Sequence, residues 1–109
     1  MTLALGIDPG TATTGYGLVR LVPGGTLESI AFGAFVTPPH MPAHERLLLL
    51  HQDLVQLISQ YQPDTFAVEK LFFQRNVTTA MAVGQARGVV LLAIAQAGGA
   101  FAEYTPNEV

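Results

Sequence analysis

The stretch Leu3 to Gly17, LALGIDPGTATTGYG, constrains this chain more than any other, because a strand-like alternation runs into an acid and then directly into a turn. Leu3, Leu5 and Ile7 alternate with Ala4, Gly6 and Asp8, so a period of two puts the large apolar side chains on one face. The small residues and the acid share the other face, and Asp8 ends its strand in an uncrowded space. Pro9 lacks a ladder donor and Gly10 tolerates the positive φ that tight turns often need, so the chain turns there and returns through Thr14 to Val22. Gly15 and Gly17, on alternate positions, strip one face of the second strand of side chains, which points to a close approach to its backbone. A plain hairpin, with Asp8 bonding the backbone two residues on, fits this stretch equally well.

With 109 residues, half of them hydrophobic, the chain reads as one domain, residues 1–109, with material for a real core. Its longest uninterrupted apolar run, Val89 to Ala95, is too short to span a bilayer, so no membrane partner is expected. The start MTLALG lacks the basic region and cleavage site of a signal peptide, and a cytoplasmic location is the expectation. Cysteine is absent, so any metal must be held by oxygen ligands or by His40, His44 and His51. A net charge of −3 supplies no global field for nucleic acid. A nucleic-acid partner would need a local basic patch, for which Arg20, Lys70, Arg75 and Arg87 are nearly all the material.

Pro23, Gly24 and Gly25 mark a second turn, and Leu27 to Val36 alternates as a long third strand, completing an antiparallel meander. After the proline-rich Thr37 to Pro42 the period changes: Leu47, Leu50, Leu54, Leu57, Ile58 and Tyr61 recur at helical spacing, predicting an amphipathic helix from Ala43 that Pro63 stops. His44, Glu45, His51 and Asp53 lie along it, but their offsets do not gather three ligands on one face, so they read as a solvated surface.

Thr65 to Glu69, TFAVE, is a short apolar strand that again ends in an acid. A strand that follows a crossover helix normally lies parallel to an earlier strand of the same sheet, and open α/β sheets place ligands at the carboxyl edge of their parallel strands. If the first and fourth strands are neighbours, Asp8 and Glu69 meet at that edge. Two carboxylates converging without a basic partner raise one pKa or call for a cation between them. Oxygen donors select a hard ion such as Mg²⁺ or Mn²⁺, commonly completed by substrate phosphates, so the pair points to phosphate-ester chemistry. Two unrelated surface acids at strand ends are the plainer alternative.

The next segment begins with Phe72, Phe73, Arg75 and Asn76, and aromatic plus guanidinium groups beside an acidic metal site suit base stacking and phosphate contact. One of the two phenylalanines is expected in the core, since adjacent residues of an extended chain point opposite ways. A helix follows from about Val77 to Ala97, closed by Gly98 and Gly99. Its second half is apolar nearly all round. Gly84 and Gly88 permit close approach, equally well by another part of this chain or by a second subunit.

GIDPGTATTGYG, PDTFAVEKLFFQRN and GQARG, in this order and spacing, resemble the RuvC family of Holliday-junction resolvases, crossover-junction endodeoxyribonucleases with a ribonuclease H-like fold. The resemblance covers essentially the whole chain, and its combination of motifs is specific, whereas the first alone also resembles the phosphate loop of actin-like ATPases and sugar kinases. It implies an α/β fold: a five-stranded mixed sheet, with a three-stranded antiparallel meander plus parallel strands, and flanking helices. It also implies a homodimer that nicks a four-way DNA junction symmetrically in recombination and repair, alongside a branch-migration complex. Asp8 and Glu69 match two of the family's four metal-binding catalytic acids, served by two Mg²⁺ ions with Mn²⁺ able to substitute. Phe72 matches an aromatic that stacks on bases near the crossover, Phe73 neighbours it, and Arg75 and Asn76 fall where the family's loop meets DNA. The helix from Gly84 to Ala97 resembles the one through which subunits pair.

Family members continue beyond the position of Val109 with helices that supply the remaining acids. Thr105-Pro106-Asn107-Glu108 has the form of a capping box with proline at the first helical position, so a helix is announced that the sequence does not continue. The expectation is therefore an incomplete nuclease domain with its C-terminal helices missing, holding half the metal site and showing little or no cleavage by itself. A non-catalytic junction-binding or dimerisation fragment is the alternative, and a phosphate-binding lobe of an actin-like ATPase or sugar kinase is the more distant one.

Overall fold

A computed structural model of the chain describes residues 2–10, 12–69 and 77–104. Its elements run β1 (Thr2–Asp8), β2 (Thr13–Leu21), β3 (Leu27–Val36), α1 (Ala43–Tyr61), β4 (Thr65–Glu69), α2 (Val77–Ala97) and β5 (Ala100–Tyr104). They form one five-stranded sheet in the order β3-β2-β1-β4-β5. The first three strands are the antiparallel meander, while β4 runs parallel to β1 and β5 parallel to β4.

The alternation in β1 sets the layers. Leu5 and Ile7 are buried with Leu18 of β2 and Phe66 and Val68 of β4, and this face packs against Leu50, Leu54 and Leu57 of α1 and Ala86, Val90, Ala93 and Ile94 of α2. Among the described residues both helices thus cover one face of the sheet. The opposite face carries Ala4, Gly6 and Asp8, paired across to Val19, Gly17 and Gly15.

Of the two glycine turns, one has the expected physical cause and the other does not. Gly24 and Gly25 adopt φ of 100° and 84° between β2 and β3, as a glycine pair permits. Gly10 does not need positive φ; a side chain there would collide with the Thr13 carbonyl, so closeness of backbone to backbone demands the glycine. Pro63 follows the end of α1 as expected, and it disfavours the right-handed helical conformation for the residue before it. Gln62 takes a left-handed conformation with φ 50°, and its N–H donates to the Ile58 carbonyl at 2.7 Å, closing the last turn before the proline is reached.

The α2 window Ala80–Ala97 has a mean hydropathy of 1.4, enough by length and composition to cross a membrane, which a count of uninterrupted apolar residues does not show. Here Ala86, Val90, Ala93 and Ile94 of that helix lie in the core, and a core helix passes the same test. On α1, His51 is not simply solvated: its Nε2 and Gln96 Oε1 of α2 lie 2.8 Å apart in a hydrogen bond that ties the two helices.

Candidate metal centre at the carboxyl edge of the sheet

Register decides whether the two strand-terminal acids can meet. At the start of β4, the Leu3 N–H donates to Asp64 Oδ2 and the Asp64 N–H donates to the Leu3 carbonyl, both at 2.8 Å. This double clasp sets Ala4 beside Thr65, and the parallel ladder continues to Ile7 beside Val68. Asp8 and Glu69 are the next residues on the two strands. Both point away from the core, because they lie one step beyond the buried Ile7 and Val68.

The carboxyl groups meet. Glu69 is held above the ordinary carboxylate range, first by a hydrogen bond with the Asp8 side chain, then by its partial burial, then by the Asp8 negative charge. The hydrogen bond favours the protonated form of Glu69, and loss of that proton leaves its carboxylate facing the Asp8 negative charge. This is the donor chemistry of a hard divalent cation, which takes the place of the shared proton. Among the described residues no third His, Cys, Asp or Glu joins them, so His44, Glu45, His51 and Asp53 of α1 form no metal cluster.

Beside the acids lies an open trough lined by Gly6, Asp8, Gly15, Tyr16, Gly17 and Gly33. One glycine has an internal reason: the Tyr16 ring, stacked on Phe35 with centroids 5.0 Å apart, occupies the place where a Gly33 Cβ would stand. Gly17 has none among the described residues, since a Cβ added there meets nothing within 4 Å. The space over the strand is left open beside the carboxylates. Phe72, Phe73, Arg75 and Asn76, the expected DNA contacts, lie outside the described residues, as does Thr105-Pro106-Asn107-Glu108.

The family model described as crossover junction endodeoxyribonuclease RuvC matches residues 4–109. The chain belongs to the RuvC family. It is 58% identical to the RuvC of Chloroflexus aggregans over 97% of this chain and 64% of that one. With the RuvC of Thermomicrobium roseum the identity is 52% over 96% of this chain and 63% of the relative. The chain therefore spans a little under two thirds of these relatives' length. Among solved structures, T. thermophilus RuvC in complex with Holliday junction substrate superposes with a TM-score of 0.89 at 30% identity, over 99% of this chain and 67% of that one. The RuvC likeness bears out the ribonuclease H-like sheet expected from the motifs.

The Glu69 shift has a consequence for stability. A group whose folded-state pKa is raised contributes stability that is fully present below its unfolded value, about 4.3 for glutamate, and is lost as pH rises through the folded value. In EDTA, the urea midpoint of the chain is expected to fall with pH across that window, while Glu69→Gln, which keeps a donor for Asp8, shows a flatter profile. Saturating Mg²⁺ should restore the loss above the window. Parallel profiles for the two proteins in EDTA would show that the carboxyls do not interact.

Proposed function

We propose that this chain forms part of the catalytic domain of a metal-dependent endonuclease that nicks four-way DNA junctions. The observation that carries the reading is the meeting of Asp8 and Glu69 at the ends of adjacent parallel strands, beside an open trough lined in large part by glycines. Membership of a family of metal-dependent nucleases supports it, as does the structural relative whose substrate is a Holliday junction. The ions are Mg²⁺, with Mn²⁺ able to substitute, because carboxylate oxygens favour hard cations; that the complete enzyme takes two of them rests on the sequence resemblance. Bound divalent ions supply charge stabilisation at the scissile phosphate and lower the pKa of a coordinated water.

The chain's own residues contribute position and access. Asp8 and ionised Glu69 offer converging oxygens from two strands whose register is fixed by the Asp64 clasp. Gly6, Gly15 and Gly17 lower the floor of the trough, so that a nucleic-acid backbone can come close to the strands beside Asp8. On the sequence resemblance, Phe72 and Phe73 stack on bases near the crossover, and Arg75 and Asn76 contact the strands. The same resemblance makes a branch-migration complex the partner on the junction, in the cytoplasm.

A homodimer belongs to the same proposal. On α2, Met81 and Leu92 are 62% and 52% exposed, at helical spacing with Gly84 and Gly88. A Cβ added at either glycine meets nothing within 4 Å among the described residues, whose packing therefore does not account for them. A second copy set against this stripe would cover it. Leu92→Lys is expected to convert a sedimenting dimer to monomer with little change in thermal midpoint; a monomeric wild type at high micromolar concentration would remove the dimer from the proposal.

The test of function is a Mg²⁺-dependent assay on a synthetic four-way junction and on duplex of the same sequence, using this chain and the full-length C. aggregans relative. Symmetric nicks by the relative, with junction-selective binding by this chain, support the reading. Equal affinity of this chain for junction and duplex would overturn it.

A further inference from the structure

We propose that Arg46 is a positioning residue for Asp8, acting through Thr37 on the turn that follows the acid; this rests on the metal-site reading above. Asp8 is the last residue of its strand, so Pro9, Gly10 and Ala12 after it must hold the end of β1 in place. Two features of the turn are internal: Pro9 is buried, and Gly10 lies close against the Thr13 carbonyl. The third comes from elsewhere in the chain. The Thr37 N–H donates to the Ala12 carbonyl at 3.0 Å, joining the end of β3 to the turn. Thr37 is itself held: its hydroxyl, 94% buried as a residue, accepts from Arg46 Nε at 3.0 Å.

Arg46 stands in the first turn of α1, so the brace runs from helix to strand end to turn to acid. A hydrogen bond from a guanidinium is stronger and more directional than one between neutral groups. Space remains beside these residues: a small, partly open cavity of about 50 Å³ is lined in part by Gly10, Ala12, Thr14, Thr37 and Arg46. That is enough space for a turn released from Thr37 to settle into. Metal ligands need placement to within about 0.5 Å, so a small settling of the turn matters at Asp8 while the core stays intact.

The experiment uses the whole chain and three substitutions. Thr37→Val keeps the shape and removes the hydroxyl, Arg46→Met keeps length and removes the donors, and Thr37→Ser keeps the acceptor. Two readouts are taken on folded protein: Mn²⁺ affinity by water-proton relaxation, and hydrogen exchange of the residue-37 amide relative to those of Leu5 and Val68. Thr37→Val and Arg46→Met are expected to weaken Mn²⁺ binding about tenfold, the lower end for lost outer-shell partners of metal ligands. They should also speed exchange at residue 37 at least tenfold while leaving the core amides slow. Thr37→Ser should keep both wild-type values. Unchanged Mn²⁺ affinity in the two disabling variants overturns the proposal, even if exchange quickens. If Arg46→Met does not fold, Thr37→Val decides. If the wild type itself takes up no Mn²⁺, the metal reading falls separately, and the brace is judged by exchange alone, where wild-type rates in Thr37→Val overturn it.

Discussion

Asp8→Asn is expected to weaken divalent-ion binding more than a hundredfold without weakening the fold. Loss of an outer-shell partner alone typically costs 10- to 100-fold in metal affinity, so loss of one of two converging carboxylates should exceed about 100-fold. Stability should move the other way or not at all in EDTA, because the substitution removes the negative charge that faces Glu69 once the pair is ionised. The neutral amide still offers a hydrogen-bond partner, and Asp8 is exposed, so no core packing is lost. Asp53→Asn on α1 is the control: it removes the same charge from a residue that joins no metal cluster, and it should leave Mn²⁺ binding unchanged. Water-proton relaxation of Mn²⁺ titrated with each protein measures the affinities directly. Retained tight binding in Asp8→Asn would place the cation elsewhere. In a full-length protein carrying this domain, the same substitution should abolish junction cleavage, since both groups would then be gone from the reacting phosphate's neighbourhood: the anion and the ion it holds.

The placement of Asp8 and Glu69 at one sheet edge is legible in the sequence, because its logic is local and periodic. Leu3, Leu5 and Ile7 fix the phase of β1, and the same phase carried through Phe66 and Val68 puts Asp8 and Glu69 on the other face of neighbouring strands. A helix between two strands makes them parallel, so both acids end at one edge. What was not legible depends on atoms distant in sequence. Gly10 is required by the Thr13 carbonyl and not by its own φ, and the Thr37–Ala12 and Arg46–Thr37 bonds have no pattern that a linear reading detects. Asp64, whose clasp on Leu3 sets the register, looks like an ordinary loop acid after a proline. The α2 face was undetermined for a different reason. Its residues are apolar nearly all round, so periodicity carries no phase, and only packing distinguishes buried Val90 and Ile94 from exposed Met81 and Leu92. His51, read as solvated, bonds Gln96 because that packing brings α1 and α2 together.

The distinction between the faces of α1 leads to the other large effect. Leu54 is 0% exposed, wedged among Leu5, Ile7, Leu18 and the buried residues of α2, whereas Leu48 on the same helix is 56% exposed. Truncating a fully buried leucine removes its transfer free energy and leaves a cavity that neighbours only partly fill, so Leu54→Ala should cost about 3 to 4 kcal/mol. Leu48→Ala should stay within about 0.5 kcal/mol, as surface substitutions usually do. For a domain near this size, about 3 kcal/mol corresponds to a thermal midpoint lower by roughly 12 to 24 °C. Urea unfolding of both variants separates them cleanly, and equal losses would mean that α1 is rotated from the placement described. The consequence reaches the metal centre, because α1 carries Arg46 as well as Leu54. A helix that loosens from the sheet releases the Thr37 contact to the Asp8 turn, so Leu54→Ala should weaken Mn²⁺ binding at temperatures below its midpoint, and Leu48→Ala should not.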